Sequence, residues 1–473
     1  MNEHIIEFTL KQHTPLIHFQ HDQQGATLRA TEVKPKLDRF LISRLNGWEN
    51  ISESWKVKSR DNNVQALQYK IRIEAQSLKE PVNAKGTPNY FAEMEYDPSR
   101  IPKKFSEAEY IKVSIFTLDR NLKIEIEKAL PAFWLSHNFG TRQNKGFGCF
   151  YISEEDKAHF KSPAEALPSD TFYIQLKSQN DYCIGSVIRY YYQRLKTGLN
   201  HKQLNPTYEG SFLRNYVSIH KNSQWEKKWL KINFLNLREN VDTRASFWRF
   251  LLGMPYEFRF IESRKPSTFS KGQQLEVLDE ILIRVSHDTI KRFASPITFS
   301  VYKHPDNITT TIYLIINENE SVNNILKDQP NFTFSPLFGL RVHAAKDQKT
   351  RTLILDKNQK VKFGKLKFIP PDYQSTKTGI ELFKKYIEQA EEFEKKNEDK
   401  PEYGNLKGQF ERFQEFVTTK SPQTLPAPLQ PQNFLKNLIQ AYHQSLGKNP
   451  IKIPWIPEPK KMSTIDITVN QLP

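Results

Sequence analysis

Residues 110–153 carry the most informative pattern of the chain and read YIKVSIFTLDRNLKIEIEKALPAFWLSHNFGTRQNKGFGCFYIS. Apolar and polar residues alternate through YIKVSIFTL, which predicts a strand. The next apolar residues recur at helical spacing, namely Ile126, Ala129, Leu130, Phe133 and Trp134. The glycine-rich stretch GTRQNKGFG follows this helix, and GCFYIS predicts a closing strand. The order is therefore strand, helix, glycine-rich loop and strand.

The residues before this stretch predict the other half of the same motif. Residues 5–16 form a candidate strand that is broken at Pro15. A helix is expected over residues 33–45, with Pro35 in its first turn. The alternating segment LQYKIRIEA predicts the second strand. The order β-α-β-β-α-β is that of the ferredoxin-like fold, in which two helices cover one face of an antiparallel sheet and the other face stays open for a ligand or partner.

The pattern partly restarts near residue 170. The candidate strands there are FYIQLK, EILIRVS, PITFSVYK, TTTIYLIIN, RTLILD and KLKFI, and helices are expected around residues 184–195 and at SVNNILK. Later helices are expected at residues 380–390, 410–417 and 434–442, with the proline-rich linker SPQTLPAPLQPQ between the last two. The predicted fold class is α+β, with two ferredoxin-like modules at 1–165 and 166–370, a helical insertion in the second, and a helical C-terminal region at 371–473.

The charge of the chain favours a polyanionic partner. Its 473 residues hold 69 Lys+Arg and 53 Asp+Glu, a formal net charge of +16. Residues 371–473 are nearly neutral, so almost all of the excess lies in the first 370 residues. We expect the polyanion-binding face there and partner contacts in the C-terminal part. A solvated basic surface without a ligand is the alternative that charge alone leaves open.

Several function classes find little support in the sequence. No run of apolar residues approaches the length of a membrane span, and the N-terminus lacks the pattern of a signal peptide. Two cysteines are too few for a disulfide framework or a cysteine-rich zinc site. There is no GxSxG, HExxH, DFG-like or CxxC motif. We therefore expect a soluble cytoplasmic protein that has no cofactor or metal and does not bind a membrane. The missing motifs weaken every enzyme hypothesis but leave open an endoribonuclease, which needs only a positioned base and a charge stabiliser.

The glycine-rich loop is the strongest candidate for a binding site. Gly140, Gly146 and Gly148 allow positive φ angles and a close backbone approach. Arg142 and Lys145 lie among backbone N–H groups, a combination that suits a phosphate backbone. The loop is neither a Walker loop nor a Rossmann fingerprint, since it follows a helix and precedes a strand. A helix C-cap followed by a tight turn is the structural alternative.

Further candidates lie near the first helix. Three histidines, His13, His18 and His21, suggest a metal site or acid–base catalysis. Asp22 is the only Asp, Glu or Cys residue beside them. Arg29, Lys34 and Lys36 at the start of the helix suit anion contact, against the alternative of an ordinary solvated helix face.

Two later segments combine basic and aromatic residues. Lys291 and Arg292 lie in KRFASP, between two candidate strands, where a strand broken by proline is the structural alternative. An aromatic and basic stretch offers stacking and phosphate contacts, although tryptophans are more often core residues. Its members are Arg189, Arg194, Arg214, Tyr216, Trp225, Lys227, Lys228 and Trp229.

The order of these motifs resembles the RAMP superfamily of CRISPR proteins. The resemblance lies in a strand ending in TPL, a loop with LR, then KP and an apolar helix, and a GxRxxKGFG loop before the last strand. The segments LGMP at 252–255 and KRFASP at 291–296 are similar to the LGLP-like and R-x-ASP-like segments of the tandem-RAMP family that forms the first subunit of the Cmr (type III-B) effector complex. The resemblance covers residues 1–370. HFQHDQQGATLRATEVKPKL departs from it, with histidines where small residues are common.

The resemblance implies a non-catalytic RNA-binding subunit for antiviral defence that holds the 3′ part of the guide–target RNA duplex beside other subunits of the complex. We predict that the RNA-binding residues are Arg29, Lys34, Lys36, Gly140, Arg142, Lys145, Gly146, Gly148, Lys291 and Arg292. One alternative is a RAMP-type endoribonuclease that processes guide precursors with a histidine as general base. The other is a scaffold that binds protein alone.

Overall fold

A computed structural model describes the backbone and side chains of residues 3–17, 27–58, 65–79, 107–198, 210–218, 252–253, 295–316, 434–447 and 467–472. It describes the backbone alone for residues 82–83, 104–105, 199–200, 208–209, 219–221, 257–261, 275–286, 331–344, 349–355, 361–363, 423–426, 451–454 and 464–466. By internal contacts the chain divides into two compact units. One comprises Met1–Tyr216, Ala294–Asn319 and Pro431–Pro473, and the other comprises Val217–Phe293 and Glu320–Gln430.

The described helices are α1 (Ala30–Arg44), α2 (Arg120–Ser136), α3 (Pro163–Ala166), α4 (Asp181–Lys196), α5 (Phe212–Lys221) and α6 (Phe434–Leu446). The described strands are β1 (Ile5–Gln12), β2 (Lys70–Leu78), β3 (Val82–Asn83), β4 (Lys104–Phe105), β5 (Ala108–Phe116), β6 (Phe150–Ile152), β7 (Phe172–Leu176), β8 (Leu199–Asn200), β9 (Tyr208–Glu209), β10 (Glu257–Ile261), β11 (Leu275–Ser286), β12 (Ile297–Lys303), β13 (Thr310–Ile316), β14 (Asn331–Ala344), β15 (Lys349–Leu355), β16 (Val361–Phe363), β17 (Gln423–Pro426), β18 (Ile451–Pro454) and β19 (Thr464–Gln471).

The first module has the predicted ferredoxin-like topology. Its antiparallel sheet has the strand order β2-β5-β1-β6, so the first strand lies between the third and the fourth. Val113 of β5 is the register partner of Phe8 on one side and of Ile73 on the other. Side chains of alternate strand residues point to the same face, and here that face is the core. Helices α1 and α2 cover it.

The sequence explains where the two helices begin. Asp119 caps α2, and its carboxylate accepts hydrogen bonds from the N–H groups of Asn121 and Leu122, each at 2.9 Å. Helix α1 begins at Ala30, three residues before the first apolar residue of the predicted stripe. Pro35 therefore lies in the second turn of α1 and not, as predicted, in the first. In the second turn, its missing N–H removes one helical hydrogen bond.

The second module repeats this topology. Its sheet has the order β12-β13-β7-β19-β18, so β7, β12, β13 and β19 occupy the same places as the four strands of the first module. Ile174 of β7 has Ile312 and Val469 as its register partners. Helices α4 and α6 pack together, with the Tyr191 hydroxyl 2.8 Å from Nε2 of His443. The fold class, α+β with two ferredoxin-like modules, is confirmed.

The last forty residues complete the second module, a role that their sequence pattern does not predict. The helix predicted at 434–442 is present as α6, but β18 and β19 follow it where only a proline-containing tail was expected. Strand β19 pairs with β7, almost 300 residues earlier in the chain. The division of the chain at residues 165 and 370 stays a prediction. The topology shows in addition that the C-terminal strand β19 belongs to the second sheet.

The other unit contains a six-stranded antiparallel sheet. Its strands run in the order β10-β11-β14-β15-β16, and β17 also pairs with β14. The predicted strands EILIRVS and RTLILD lie here, in β11 and β15, rather than in the second ferredoxin-like sheet. The predicted elements SVNNILK and KLKFI and the helices at 380–390 and 410–417 fall outside the described residues. Within the described part of the chain, no helix has the length and apolar character needed to cross a membrane.

Candidate nucleic-acid interface

The glycine-rich loop connects α2 to β6 and requires all three of its glycines. Gly140, Gly146 and Gly148 have φ angles of +77°, +81° and +67°. A Cβ atom on Gly148 would lie 2.0 Å from the carbonyl oxygen of Phe139, and one on Gly140 would lie 2.4 Å from that of Ile17. Glycine is therefore needed for two reasons: the backbone is left-handed at these positions, and at Gly140 and Gly148 a second chain segment lies too close for a side chain.

Backbone hydrogen bonds fix both ends of the loop. The N–H of Thr141 donates to the carbonyl of Ile17 at 2.7 Å, and the N–H of Gly148 donates to that of Pro15 at 2.9 Å. The N–H of Phe139 donates to the carbonyl of Gly148 and closes the loop at 2.9 Å. The loop thus lies against the TPL segment after β1, which makes it a rigid feature before any ligand arrives.

Helix α1 holds the other side of the loop through Glu32 and Lys36. The Glu32 carboxylate accepts the N–H of Gly140 at 2.8 Å. The Lys36 ammonium donates to Glu32, to the carbonyl of Asn138 and to the side-chain oxygen of Gln143, the last two at 2.7 Å. An ammonium has three donors, and all three of these have protein acceptors. The Lys36 side chain is only 14% exposed, and burial lowers its pKa.

Lys34 points to a different part of the module. Its ammonium lies 2.9 Å from the carboxylate of Asp38 and 2.9 Å from the carbonyl of Leu67, just before β2. It also lies 4.1 Å from the ring centroid of Tyr69. Lys34 therefore ties α1 to the sheet, on a side away from the glycine-rich loop.

Arg29 and Arg142 lie near the contact between α1 and the loop. The carbonyl of Arg29 accepts the N–H of Glu32, whose side chain holds Gly140, so Arg29 is one turn from the loop. Arg142 has a left-handed φ of 60°, which is uncommon for a residue with a side chain. Both arginines are half-buried. Of the predicted cations, Arg142 and Lys145 therefore lie in the loop and Lys36 lies against it, whereas Lys34 does not.

Lys145 has an aromatic ring as its neighbour. Its ammonium lies 3.3 Å from the ring centroid of Tyr192 in α4. Burial, and to a lesser extent the positive charge of Arg142, lower the pKa of Lys145 to about 8. Among the residues that the structure describes, no carboxylate forms an ion pair with this ammonium. The loop therefore presents a partly desolvated cation that an anion would stabilise.

The same loop caps the free edge of the second sheet. Among the described strands, β12 pairs only with β13, and the backbone groups of Phe299, Val301 and Lys303 on its other edge bond to the first module. Asn138 donates to the carbonyl of Phe299 at 2.7 Å, and the Cys149 sulfur accepts the N–H of Val301 at 3.3 Å. Just before the strand, Asn144 donates to the carbonyl of Ser295 at 2.6 Å. Side chains of one module thus pair the strand edge of the other.

His13 takes part in this interface and is the only one of the three N-terminal histidines among the described residues. It is 2% exposed, and its Nδ1 accepts the N–H of Lys303 at 2.9 Å. Burial lowers the pKa of His13 to about 3, so the ring is neutral. Its acceptor nitrogen holds a backbone group and is not offered to a substrate. In the described part of the chain, no three His, Cys, Asp or Glu side chains converge as metal ligands.

Comparison with known proteins identifies the family. A family model described as the Cmr1 N-terminal domain matches residues 3–199, and one described as the Cmr1 C-terminal domain matches residues 208–369. The chain belongs to the Cmr1 family. Cmr1 proteins are RAMP proteins of type III-B CRISPR systems and subunits of the multi-subunit Cmr complex, so the predicted family is confirmed.

Other comparisons add little to this assignment. A crystal structure of Cmr1 from Pyrococcus furiosus in its apo form is similar over 67% of this chain and 88% of that one, at 11% identity and a TM-score of 0.34. No curated protein matches the chain.

Within this Cmr1-family chain the structure places eight of the ten predicted RNA-binding residues. Lys291 and Arg292 lie outside the described residues, as do His18, His21, Trp225, Lys227, Lys228 and Trp229. Arg189 and Arg194 lie on α4, and Arg214 and Tyr216 on α5.

Sequence reasoning missed Glu32, Asn138, Asn144 and Tyr192. No spacing rule singles out a carboxamide or an isolated tyrosine, because their roles depend on segments that are distant in sequence. Only the density of Asn and Gln around the glycines was a signal.

Proposed function

We propose that this Cmr1-family chain is an RNA-binding, non-catalytic subunit of the Cmr complex. The observation that carries the proposal is the glycine-rich loop, a rigid backbone that presents Arg142 and a desolvated Lys145. Cations held on a rigid loop suit the regular negative charge of a phosphate backbone. Such contacts give affinity without reading sequence, and pairing between guide and target would supply the specificity.

The predicted residues divide into two roles within this proposal. Arg29, Arg142 and Lys145 contact phosphate groups, together with Lys291 and Arg292. Lys36 acts as a positioning residue, because its three donors hold the loop, and Lys34 stabilises α1 against the sheet. Gly140, Gly146 and Gly148 shape the loop. Arg29 and Arg142 keep the predicted role of contacting the RNA backbone.

The finer proposal concerns the place of the chain in the complex. From the family resemblance we infer that it lies where the 3′ part of the guide–target duplex is held, in contact with neighbouring subunits. The buried and neutral His13 gives no support to the endoribonuclease alternative. Cleavage of a guide precursor by the purified protein would restore that alternative.

The salt dependence of RNA binding tests the proposal. Affinity for guide RNA and for a guide–target duplex is measured between about 50 and 200 mM salt, where a surface with several phosphate contacts loses orders of magnitude in affinity. Arg142→Met is expected to lower both the affinity and the slope of log K against log salt. Lys112→Met is the matched control, since Lys112 is an exposed lysine on the sheet face opposite the helices. Equal binding at low and high salt would contradict the proposal.

Crosslinking in the assembled complex tests the position. A photoreactive nucleotide near the 3′ end of the guide is expected to crosslink to residues 140–148, whereas one near the 5′ end is not. The reverse pattern would leave RNA binding intact and overturn the 3′ placement.

A further inference from the structure

Helix α4 of the second module presents an aromatic ring and a second ammonium beside the glycine-rich loop. The Lys145 ammonium lies 3.3 Å from the ring centroid of Tyr192, and the Lys196 ammonium lies 5.7 Å from the same centroid. Lys196 is one helical turn beyond Tyr192, so both lie on one face of α4. Two cations from two modules thus share one ring.

The loop and α4 form a continuous surface at this point. A Cβ atom on Gly146 would lie 2.5 Å from the side chain of Ile188, which is one turn before Tyr192. Tyr192 is in turn fixed by a perpendicular contact with Phe299, at a centroid distance of 6.1 Å. The ring therefore has a defined position next to the loop, and Lys145 is held against it rather than extended into solvent.

This arrangement concentrates positive charge. The face of an aromatic ring attracts an ammonium, but it carries no net charge with which to neutralise one. Arg142, from the same loop, repels Lys145. A phosphodiester bound at these lysines would relieve this repulsion and restore the hydrogen bonds that Lys145 loses by burial.

We propose that α4 forms the second wall of the RNA site, so that Lys145 from the loop and Lys196 from α4 bind the phosphate backbone of one RNA segment from two sides. Tyr192 is a positioning residue that holds Lys145. The inference rests on the proposed function. It adds RNA contacts from α4 of the second module to those proposed for α1 and the loop of the first module.

The test compares charge-neutral variants of the full-length protein by binding to a fluorescently labelled single-stranded RNA. Lys145→Met and Lys196→Met are each expected to weaken binding by about fivefold at about 100 mM salt and to reduce the salt slope by roughly 0.7, the value for one lost phosphate contact on a single strand. Lys112→Met, which removes the same charge from the sheet face, is expected to change neither.

Tyr192 is tested through its dependence on Lys145. Tyr192→Phe keeps the ring and is expected to bind like the parent protein. Tyr192→Leu is expected to weaken binding, but not further when Lys145 is already Met, because the ring acts through that lysine. Thermal unfolding of each variant checks that it is folded. If Tyr192→Leu does not fold, the Lys196→Met and Lys112→Met pair still decides the proposal.

The outcomes separate the two proposals. If the parent protein binds no RNA, the proposed function fails and this inference fails with it. If the parent binds and Arg142→Met weakens binding while Lys196→Met behaves like Lys112→Met, the α4 wall is overturned and the loop site stands. If Tyr192→Leu lowers RNA affinity by the same factor in the Lys145→Met variant as in the parent protein, the positioning role of Tyr192 is overturned.

Discussion

The two ferredoxin-like modules share one strand order and differ in the turn that follows their second helix. In the first module, Gly140 and Gly148 have positive φ angles and lie so close to other backbone that a Cβ would approach a carbonyl oxygen within 2.4 Å. In the second, Gly447 follows α6 with a φ of +76°, and a Cβ there would meet nothing within 4 Å. One turn is a tightly built loop, and the other is a helix C-cap.

The difference separates two kinds of glycine with a positive φ angle. A positive φ alone marks the end of a helix, as at Gly447. A positive φ combined with close backbone contact and side-chain anchors from α1 marks a loop whose shape is fixed by its surroundings.

Alanine substitution should separate the two turns most clearly. Gly148→Ala places a methyl group against the Phe139 carbonyl in a left-handed conformation, so we expect a loss of about 3 kcal/mol or more in the free energy of unfolding. Gly447→Ala meets only the backbone strain and should cost about 1 kcal/mol. Chemical denaturation of both variants measures the difference, and equal losses would remove the contrast between the turns.

Removal of Lys36 should show that the first turn depends on an internal charge. Lys36→Met leaves the Asn138 carbonyl and the Gln143 side chain without their ammonium donor, which we expect to cost about 2 kcal/mol. RNA affinity should fall as well, since the loop loses its anchor. Lys436→Met on α6 removes a more exposed lysine of the second module and serves as the control. A stable Lys36→Met variant with reduced RNA affinity would instead make Lys36 a direct ligand.

The RNA contacts should follow the same division. Arg142→Met and Lys145→Met are each expected to weaken RNA binding by about fivefold at about 100 mM salt, equivalent to roughly 1 kcal/mol. Lys436→Met, in the second module, should leave affinity and salt slope unchanged. Titration by fluorescence anisotropy at several salt concentrations gives both quantities. A comparable loss in Lys436→Met would mean that the basic charge acts through the whole surface rather than through the loop.

The pH dependence is the smallest effect. The pKa of Lys145 is lowered to about 8, so its ammonium is charged below that pH and loses its proton as the pH rises through it. RNA affinity should therefore be constant near neutral pH and decline by less than about fivefold towards pH 9, whereas a solvated lysine keeps its charge there. Folding stability should change in the opposite direction, since the folded state loses the buried charge before the unfolded state does.

Lys145→Arg provides the control for that titration. An arginine remains protonated over this range, so the decline in affinity should disappear in the variant. A decline of the same size in Lys145→Arg would assign the titration to another group.

The sequence was sufficient to predict the first module because its signals are local. The alternation in β1, β2 and β5 and the helical stripe of α2 each depend on neighbouring residues. The second module could not be completed in the same way, since pairing between β7 and β19 leaves no mark in either segment.

Helix geometry also limits what the α1 lysines can do together. Lys34 and Lys36 are two residues apart, and such residues do not share a helix face, so one reaches β2 and the other the loop.

The capped edge of β12 has a consequence for the solubility of the protein. An uncovered strand edge is a template for pairing with another chain, and proteins protect such edges to avoid aggregation. Here the protection is supplied by His13, Asn138 and Cys149 from the first module. A fragment that begins after the first module would expose this edge and should self-associate. The residues on either side of the glycine-rich loop, Asn138 and Cys149, therefore also cover an edge at which the second sheet could pair with another chain.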